Sequence, residues 1–277
     1  MNADPLLTTA LHHWGARAVP FSDAAETTPW ASPAWAAAHR LFQQTAALRS
    51  LLLLTGDNGV GKSAFLAHSL AALEPKIYVP VVLTHATLSG SGILAVLLHR
   101  LGKKPSIFRS RNLTLLEENF RELGRLTPVL ALDEAQLYPL GALEEIRLLL
   151  GLNLARQPLF ALVLAGDLYL QDTLRLQQHK ALYSRIAAQA QLLPLEPAQV
   201  EAYLRHGLQQ VGVERPALTP AAVSLLASAS AGLPRSLNLL ARSAWLAAAQ
   251  AGAPQIGPEH VQDALAAVPA VQDRLAH

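Results

Sequence analysis

Cysteine is absent from all 277 residues. Disulfides and thiolate metal sites are therefore excluded, and the composition agrees with a reducing cytoplasm, the expected location. Long apolar runs are missing too. Although 51% of residues are hydrophobic, no run approaches the roughly 18 residues that a membrane-spanning helix needs. The longest, Leu51–Leu54 and Leu159–Ala165, are strand-sized, and no membrane partner is expected. The N-terminus "MNADPLLTTALHHWGARAVPF" lacks the basic start and apolar stretch of a signal peptide. Strong charge of either sign is also lacking. Net charge is only +2, so any nucleic-acid role must rest on local clustering. One local cluster exists because acid is missing there. Between Glu74 and Glu117 no Asp or Glu occurs, while Lys76, Arg100, Lys103, Lys104, Arg109 and Arg111 do. Taken alone, these cations are equally well read as ordinary surface contacts.

What is present begins with "GDNGVGKS", Gly56 to Ser63, between the apolar run "LLLLT" and the helix-like "AFLAHSLAAL". A glycine-rich turn lets successive backbone N–H groups converge, and the following helix adds its N-terminal dipole. A phosphate chain fits there. Gly56, Gly59 and Gly61 permit close backbone approach, Lys62 reaches the terminal phosphates, and Ser63 can hold Mg²⁺. The candidate nucleotide-binding set is Gly56, Asp57, Asn58, Gly59, Val60, Gly61, Lys62, Ser63 and Ala64, with ATP and Mg²⁺ as the expected cofactors.

Residues 1 to about 31 read as an irregular N-terminal extension with three prolines and three large aromatics. Ser32 and Pro33 then open a helix as N-cap and first helical position. Strands are expected at Leu51–Thr55, Val79–Thr84, Val129–Asp133, Phe160–Ala165 and, briefly, Gln191–Leu195. These are continuous apolar runs, as parallel strands covered on both faces should be. Helical segments lie between them, one with a capping box at Thr114 and Glu117. Alternating strands and helices predict a doubly wound α/β nucleotide-binding core over 32–195. From 196 to 277 every segment is helical, punctuated by Pro and Gly, which predicts a smaller all-α unit.

"VLALDEAQ" ends the third strand. Asp133 at the carboxyl edge can hold Mg²⁺ through water. Glu134 beside it can orient and activate the attacking water. Asp-Glu after a strand is also a common helix N-terminal charge pair. Gln136 reads as a sensor of γ-phosphate or a partner surface, or as a plain surface amide. Asp167, after the fourth strand, reads equally as a group facing water or γ-phosphate and as a helix N-cap. Arg185 precedes the fifth strand, and Arg235 opens a helix of the α unit. Arginine suits planar phosphate recognition, but a lone arginine is more commonly a solvated charge.

In combination these residues resemble the AAA+ ATPases. The narrower likeness is to the ExeA/GspA-type branch. It rests on Trp14-Gly15 with Pro20-Phe21, on Asp133–Gln136, on the helix Leu143–Leu149, and on Gly232–Asn238 as Gly-x-Pro-Arg-x-x-Asn. The resemblance implies a P-loop parallel five-stranded sheet of order 5-1-4-3-2 with a C-terminal all-α lid. It makes Arg185 a trans-acting arginine finger, Arg235 a lid arginine that reports nucleotide, and Asp167 the occupant of the sensor position. An acid at that position departs from the usual Gln, Thr or Asn. Two classes share this fold. Secretion ATPases continue into a membrane span and a peptidoglycan-binding domain. Transposon-encoded regulators, similar to TniB, TnsC and MuB, assemble with ATP on double-stranded DNA and present a target to a transposase. A chain ending after the lid, with "LGKKPSIFRSRN" after the second-strand helix, is expected in the second class. Its partners would then be further copies in a ring or filament, duplex DNA contacted by Lys103, Lys104, Arg109 and Arg111, and a transposase. The alternatives are a secretion-associated ATPase and a slowly hydrolysing ATP-dependent scaffold.

Overall fold

The computed structural model describes residues 4–22, 28–84, 90–151 and 158–268. It divides into two compact units, one of Met1–Ser32, Gly59–Gly61 and Leu193–His277, the other of Pro33–Asn58 and Lys62–Leu192. The chain opens with α1 (Pro5–Trp14) and α2 (Pro33–Leu48), then β1 (Leu51–Gly56), α3 (Lys62–Ala71) and β2 (Tyr78–Leu83). Next come α4 (Gly90–Arg100), α5 (Arg109–Glu122), β3 (Thr127–Leu132), α6 (Leu140–Leu150) and β4 (Ala161–Gly166). After α7 (Tyr169–Arg175), α8 (Lys180–Tyr183) and β5 (Ile186–Leu192), four helices follow: α9 (Pro197–Gln210), α10 (Pro220–Ser230), α11 (Pro234–Gln250) and α12 (Pro258–Ala267).

The α/β unit is a five-stranded parallel sheet of order β2-β3-β4-β1-β5. This is the order expected from the resemblance, read from the other edge. Every residue of β1, β3 and β4 is buried. The reason is alternation across a covered sheet. Leu51, Leu53, Leu130, Leu132, Leu162 and Leu164 join a cluster with Ile93, Leu97, Leu116, Ile146 and Leu170 from the helices on one face. Their alternates meet the other face, where α2 packs on β1, β4 and β5. There Phe65 of α3 sits edge-on to Trp35 and Phe42 of α2, at centroid distances of 5.0 and 6.2 Å. Fully burying each leucine contributes about 1.5–3 kcal/mol.

Three expectations shift. β5 begins at Ile186 and ends at Leu192, earlier and longer than predicted. Its "IAAQAQL" alternates because it is an edge strand with one solvated side, so it carries no apolar run. The capping box at Thr114 does not form. α5 starts at Arg109, and Thr114 lies inside it, its hydroxyl donating to Ser110 O. The start is set by buried Asn112, whose side chain accepts Ser106 N–H at 2.7 Å and donates to Ser106 O at 3.0 Å. Finally, the segment read as irregular contains α1, capped by Asp4, which accepts Leu6 N–H, and closed by Gly15 at φ 65°. β2 is the other edge strand. Exposed Pro80 sits in its middle.

In the first unit, α1 packs on α11. Trp14 stacks on Trp245 at 6.4 Å, and its indole N–H donates to Trp245 O at 3.1 Å. Phe21 fills the space left by Gly207, where a Cβ would come 2.7 Å from the ring. Thr219 caps α10 by accepting Ala222 N–H, as its Thr-Pro start predicts. Trp14 and Phe21 therefore act in the core of this unit, while exposed Gly15 ends α1.

Candidate nucleotide site

β1 delivers the chain to the phosphate loop, and α3 leaves it with Lys62 at its first position. Gly59 and Gly61 adopt φ of 87° and 104°. Only glycine takes such values without strain. The Lys62 side chain is buried and curls back, its Nζ donating to Gly56 O at 2.9 Å and Asp57 O at 3.1 Å. Val60 is buried, whereas Asp57, Asn58, Ser63 and Ala64 are exposed. Within the first unit, Gly59 O accepts the Arg235 N–H at 3.1 Å, and a Cβ on Gly59 would meet Arg235 Cβ at 3.1 Å.

Lys62 is the one lysine or arginine between Gly56 and Ala64, and so the loop's one cation for a phosphate. A charged hydrogen bond contributes about 1.5–3 kcal/mol, so Lys62→Ala should weaken ATP binding by roughly 10- to 100-fold or more. Titration of the folded variant with ATP checks this; parent affinity would refute it.

At the end of β3, buried Asp133 donates its N–H to Leu83 O at 3.0 Å and accepts the Glu134 N–H on Oδ1 at 3.0 Å. Tyr138 donates to the same Leu83 carbonyl at 3.1 Å. Burial, and then the Asp133 charge, pushes the Tyr138 hydroxyl up to about 12, so it stays a neutral donor. Glu134 is held in the left-handed region, at φ 51° and ψ 45°. For a residue with a Cβ this is a strained placement that aims the carboxylate. Its Oε2 accepts Gln136 Nε2–H at 2.6 Å. The same amide accepts the Asp167 N–H on Oε1 at 3.3 Å. The Asp167 carboxylate accepts Leu170 N–H at 3.0 Å, where α7 begins. Of the two readings offered for Asp167, this contact is the helix-end one.

Arg185 lies against the C-terminal turn of α6, its guanidinium donating to Arg147 O at 2.6 Å. The last carbonyls of a helix lack intrahelical partners, and a cation satisfies them. Nearby, the Glu144 carboxyl is held below its ordinary range, chiefly by its hydrogen bonds from Arg147.

The expected DNA contacts divide into two pairs. Lys103 is ion-paired with Glu122 at 2.7 Å. Arg109 makes a two-pronged pair with Glu145, at 2.5 and 3.0 Å. The local acid gap in sequence is thus filled from α5 and α6. Lys104 and Arg111 are exposed and form no ion pair among the described residues. Between them stand Ile107, 92% exposed, and Phe108, 65% exposed, on the loop fixed by Asn112. Sequence reasoning passed over Ile107. Its signal was an apolar pair flanked by cations with no amphipathic period.

The chain matches the AAA domain family model over residues 46–174. It is 33% identical over 211 residues to the general secretion pathway protein A of Aeromonas hydrophila, a match that covers 74% of this chain and 38% of that protein. The chain thus spans well under half the length of that relative. Its fold is similar to that of Cdc6p from Pyrobaculum aerophilum, with TM-score 0.71, 18% identity, and coverage of 89% of this chain and 71% of that one. It is similar also to the Aeropyrum pernix ORC1 protein in complex with DNA, with TM-score 0.67, 19% identity, and coverage of 89% and 66%. The secretion-type branch named from sequence agrees with the first of these. Residues 46–174 of the α/β unit thus match an AAA domain, and the chain's fold is shared with these neighbours.

Proposed function

We propose that the chain is an ATP-dependent, DNA-binding AAA+ regulator of transposition. It assembles on double-stranded DNA as a ring or filament and recruits or activates a transposase. In this reading Gly56–Ala64 cradle the triphosphate and Lys62 neutralises its end. Ser63 and Asp133 are hard oxygen donors at the loop and strand edge, a set that fits Mg²⁺. When bound, that ion would neutralise charge on the phosphates. Glu134 orients and deprotonates the attacking water. Arg185, released from the α6 carbonyl, completes a neighbouring subunit's site, and Arg235 reports nucleotide from the α unit.

One observation carries the DNA part of this reading. Lys104 and Arg111 stand unpaired among the described residues, on either side of a loop held rigid by Asn112. Such cations contact phosphates without reading bases. The bound DNA in the ORC1 structure named above lends support to the class. A second reading, a secretion-associated ATPase, is favoured by the 33% identity to the secretion protein.

Replacing Lys104 and Arg111 together by Ala separates them. Each neutralised phosphate contributes roughly −0.9 to the slope of log affinity against log salt. The double variant should therefore bind duplex DNA more weakly, with a slope flatter by about 2, and keep its ATP affinity. Fluorescence anisotropy with a labelled duplex and a slowly hydrolysed ATP analogue reads both quantities. Parent affinity and parent slope would reduce the loop to a solvated turn. Negligible DNA affinity in the parent near physiological salt would favour the secretion reading.

A further inference from the structure

The geometry points to Gln136 as a positioning residue for hydrolysis, tying the Glu134 carboxylate to the backbone at the end of β4. This rests on the reading of Glu134 as the group that activates water. Three independent features meet at this side chain. Its Nε2 donates to Glu134 Oε2 at 2.6 Å. Its Oε1 accepts the Asp167 N–H at 3.3 Å. And Gly166, the last residue of β4, leaves room for it: a Cβ there would come 2.5 Å from Gln136 Oε1 and 2.6 Å from Leu170 Cδ2.

The chemistry of the two ends fixes how the amide sits. An ionised carboxylate only accepts, and a backbone N–H only donates. One orientation of the glutamine satisfies both, and the flipped one satisfies neither. Asparagine is a methylene too short to span the same two groups. Glutamate would set carboxylate against carboxylate.

The link also accounts for two oddities at the site. Glu134 occupies a left-handed backbone conformation with no glycine to ease it, and such strain persists only where surrounding contacts over-determine it. The Gln136 amide supplies one such contact and the Asp133 carboxylate, accepting Glu134 N–H, another. Meanwhile the Asp167 carboxylate is engaged by Leu170 N–H. The group that addresses Glu134 beside the end of β4 is therefore the Gln136 amide, from the turn after β3. Because that amide also holds the Asp167 N–H, a shift of the β4 corner is passed to the Glu134 carboxylate. Hydrolysis then depends on where that corner stands.

The test uses the full chain with ATP and two substitutions of similar volume. Gln136→Leu removes both polar ends. Turnover should fall roughly 10- to 100-fold, part of the roughly 10²–10⁴-fold that a general base supplies, while KM and ATP affinity stay at parent values. Gln136→Glu should lose as much near neutral pH. It should recover relative to the parent as pH is lowered, because the introduced carboxyl, once protonated, again donates to Glu134. A purely structural glutamine would lower the melting temperature without that acid-side recovery. Should Gln136→Leu fold poorly, Gly166→Ala perturbs the same amide from the β4 side and should also lower kcat without raising KM. Parent kcat in Gln136→Leu, or no acid-side recovery in Gln136→Glu, overturns the link. Glu134→Gln is the control. If it hydrolyses at the parent rate, the base assignment has failed; if it is inactive while Gln136→Leu matches the parent, the link alone has failed.

Discussion

Glu134→Gln should bind ATP as tightly as the parent and turn it over about 10²–10⁴-fold more slowly, the range a positioned general base contributes. The amide fills the same volume at a residue already held by its backbone at φ 51°, so the fold should not change. What goes is the ability to take a proton from water. The contact with Gln136 changes character too, because a neutral oxygen then receives the hydrogen bond now made to a carboxylate. Single-turnover and steady-state hydrolysis, with ATP affinity measured separately, check this. Parent turnover would place the base elsewhere.

The second large effect concerns stability. Trp14→Ala should destabilise the helical unit by about 3–5 kcal/mol, the usual cost of truncating a buried tryptophan. Trp14 is 3% exposed. Its ring stacks on Trp245 and lies under the Arg215 guanidinium at 4.8 Å. Its indole N–H donates to the Trp245 carbonyl within α11. Trp14→Phe keeps an aromatic ring and loses that hydrogen bond, so it should cost less, with about 1 kcal/mol from the bond itself. Denaturant titration followed by tryptophan fluorescence distinguishes the two. A loss under about 1 kcal/mol for Trp14→Ala would mean that α1 contributes little to this core.

The contrast between α1 and β1 shows what was legible in the chain. β1 announced itself because a strand buried on both faces reads as a continuous apolar run, and "LLLL" is one. The Gly56–Ser63 loop stood out because its glycines meet a backbone need, φ of 87° at Gly59 and 104° at Gly61, rather than a packing one. β5 was misplaced because an edge strand needs only alternation, and Ala and Gln supply it weakly. α1 was missed although Asp4-Pro5 is the same kind of cap-and-proline start that located α2 and that also opens α10. Three large aromatics and scattered prolines read as irregular, yet Trp14 and Phe21 are core. The pairing of Lys103 and Arg109 with Glu122 and Glu145 could not be read at all. It joins residues 19 and 36 positions apart, and no local pattern specifies such a pair. Gln136 was noticed, but its two partners lie on different strand ends, so its tie to Glu134 and Asp167 needed coordinates.

Pro80 has a consequence for handling the protein at high concentration. A parallel sheet with an open outer edge is a template on which extended segments of other molecules can grow. β2 is such an edge, pairing among the described residues only with β3. Proline has no N–H to offer an incoming strand, and an interruption mid-strand breaks the register such growth requires. Pro80→Val would restore a continuous donor row in "YVVVVL", a segment with the β-branched, uncharged character of amyloid-forming hexamers. The proline therefore serves as a gatekeeper against fibril seeding, protecting a chain whose mean hydropathy is +0.25.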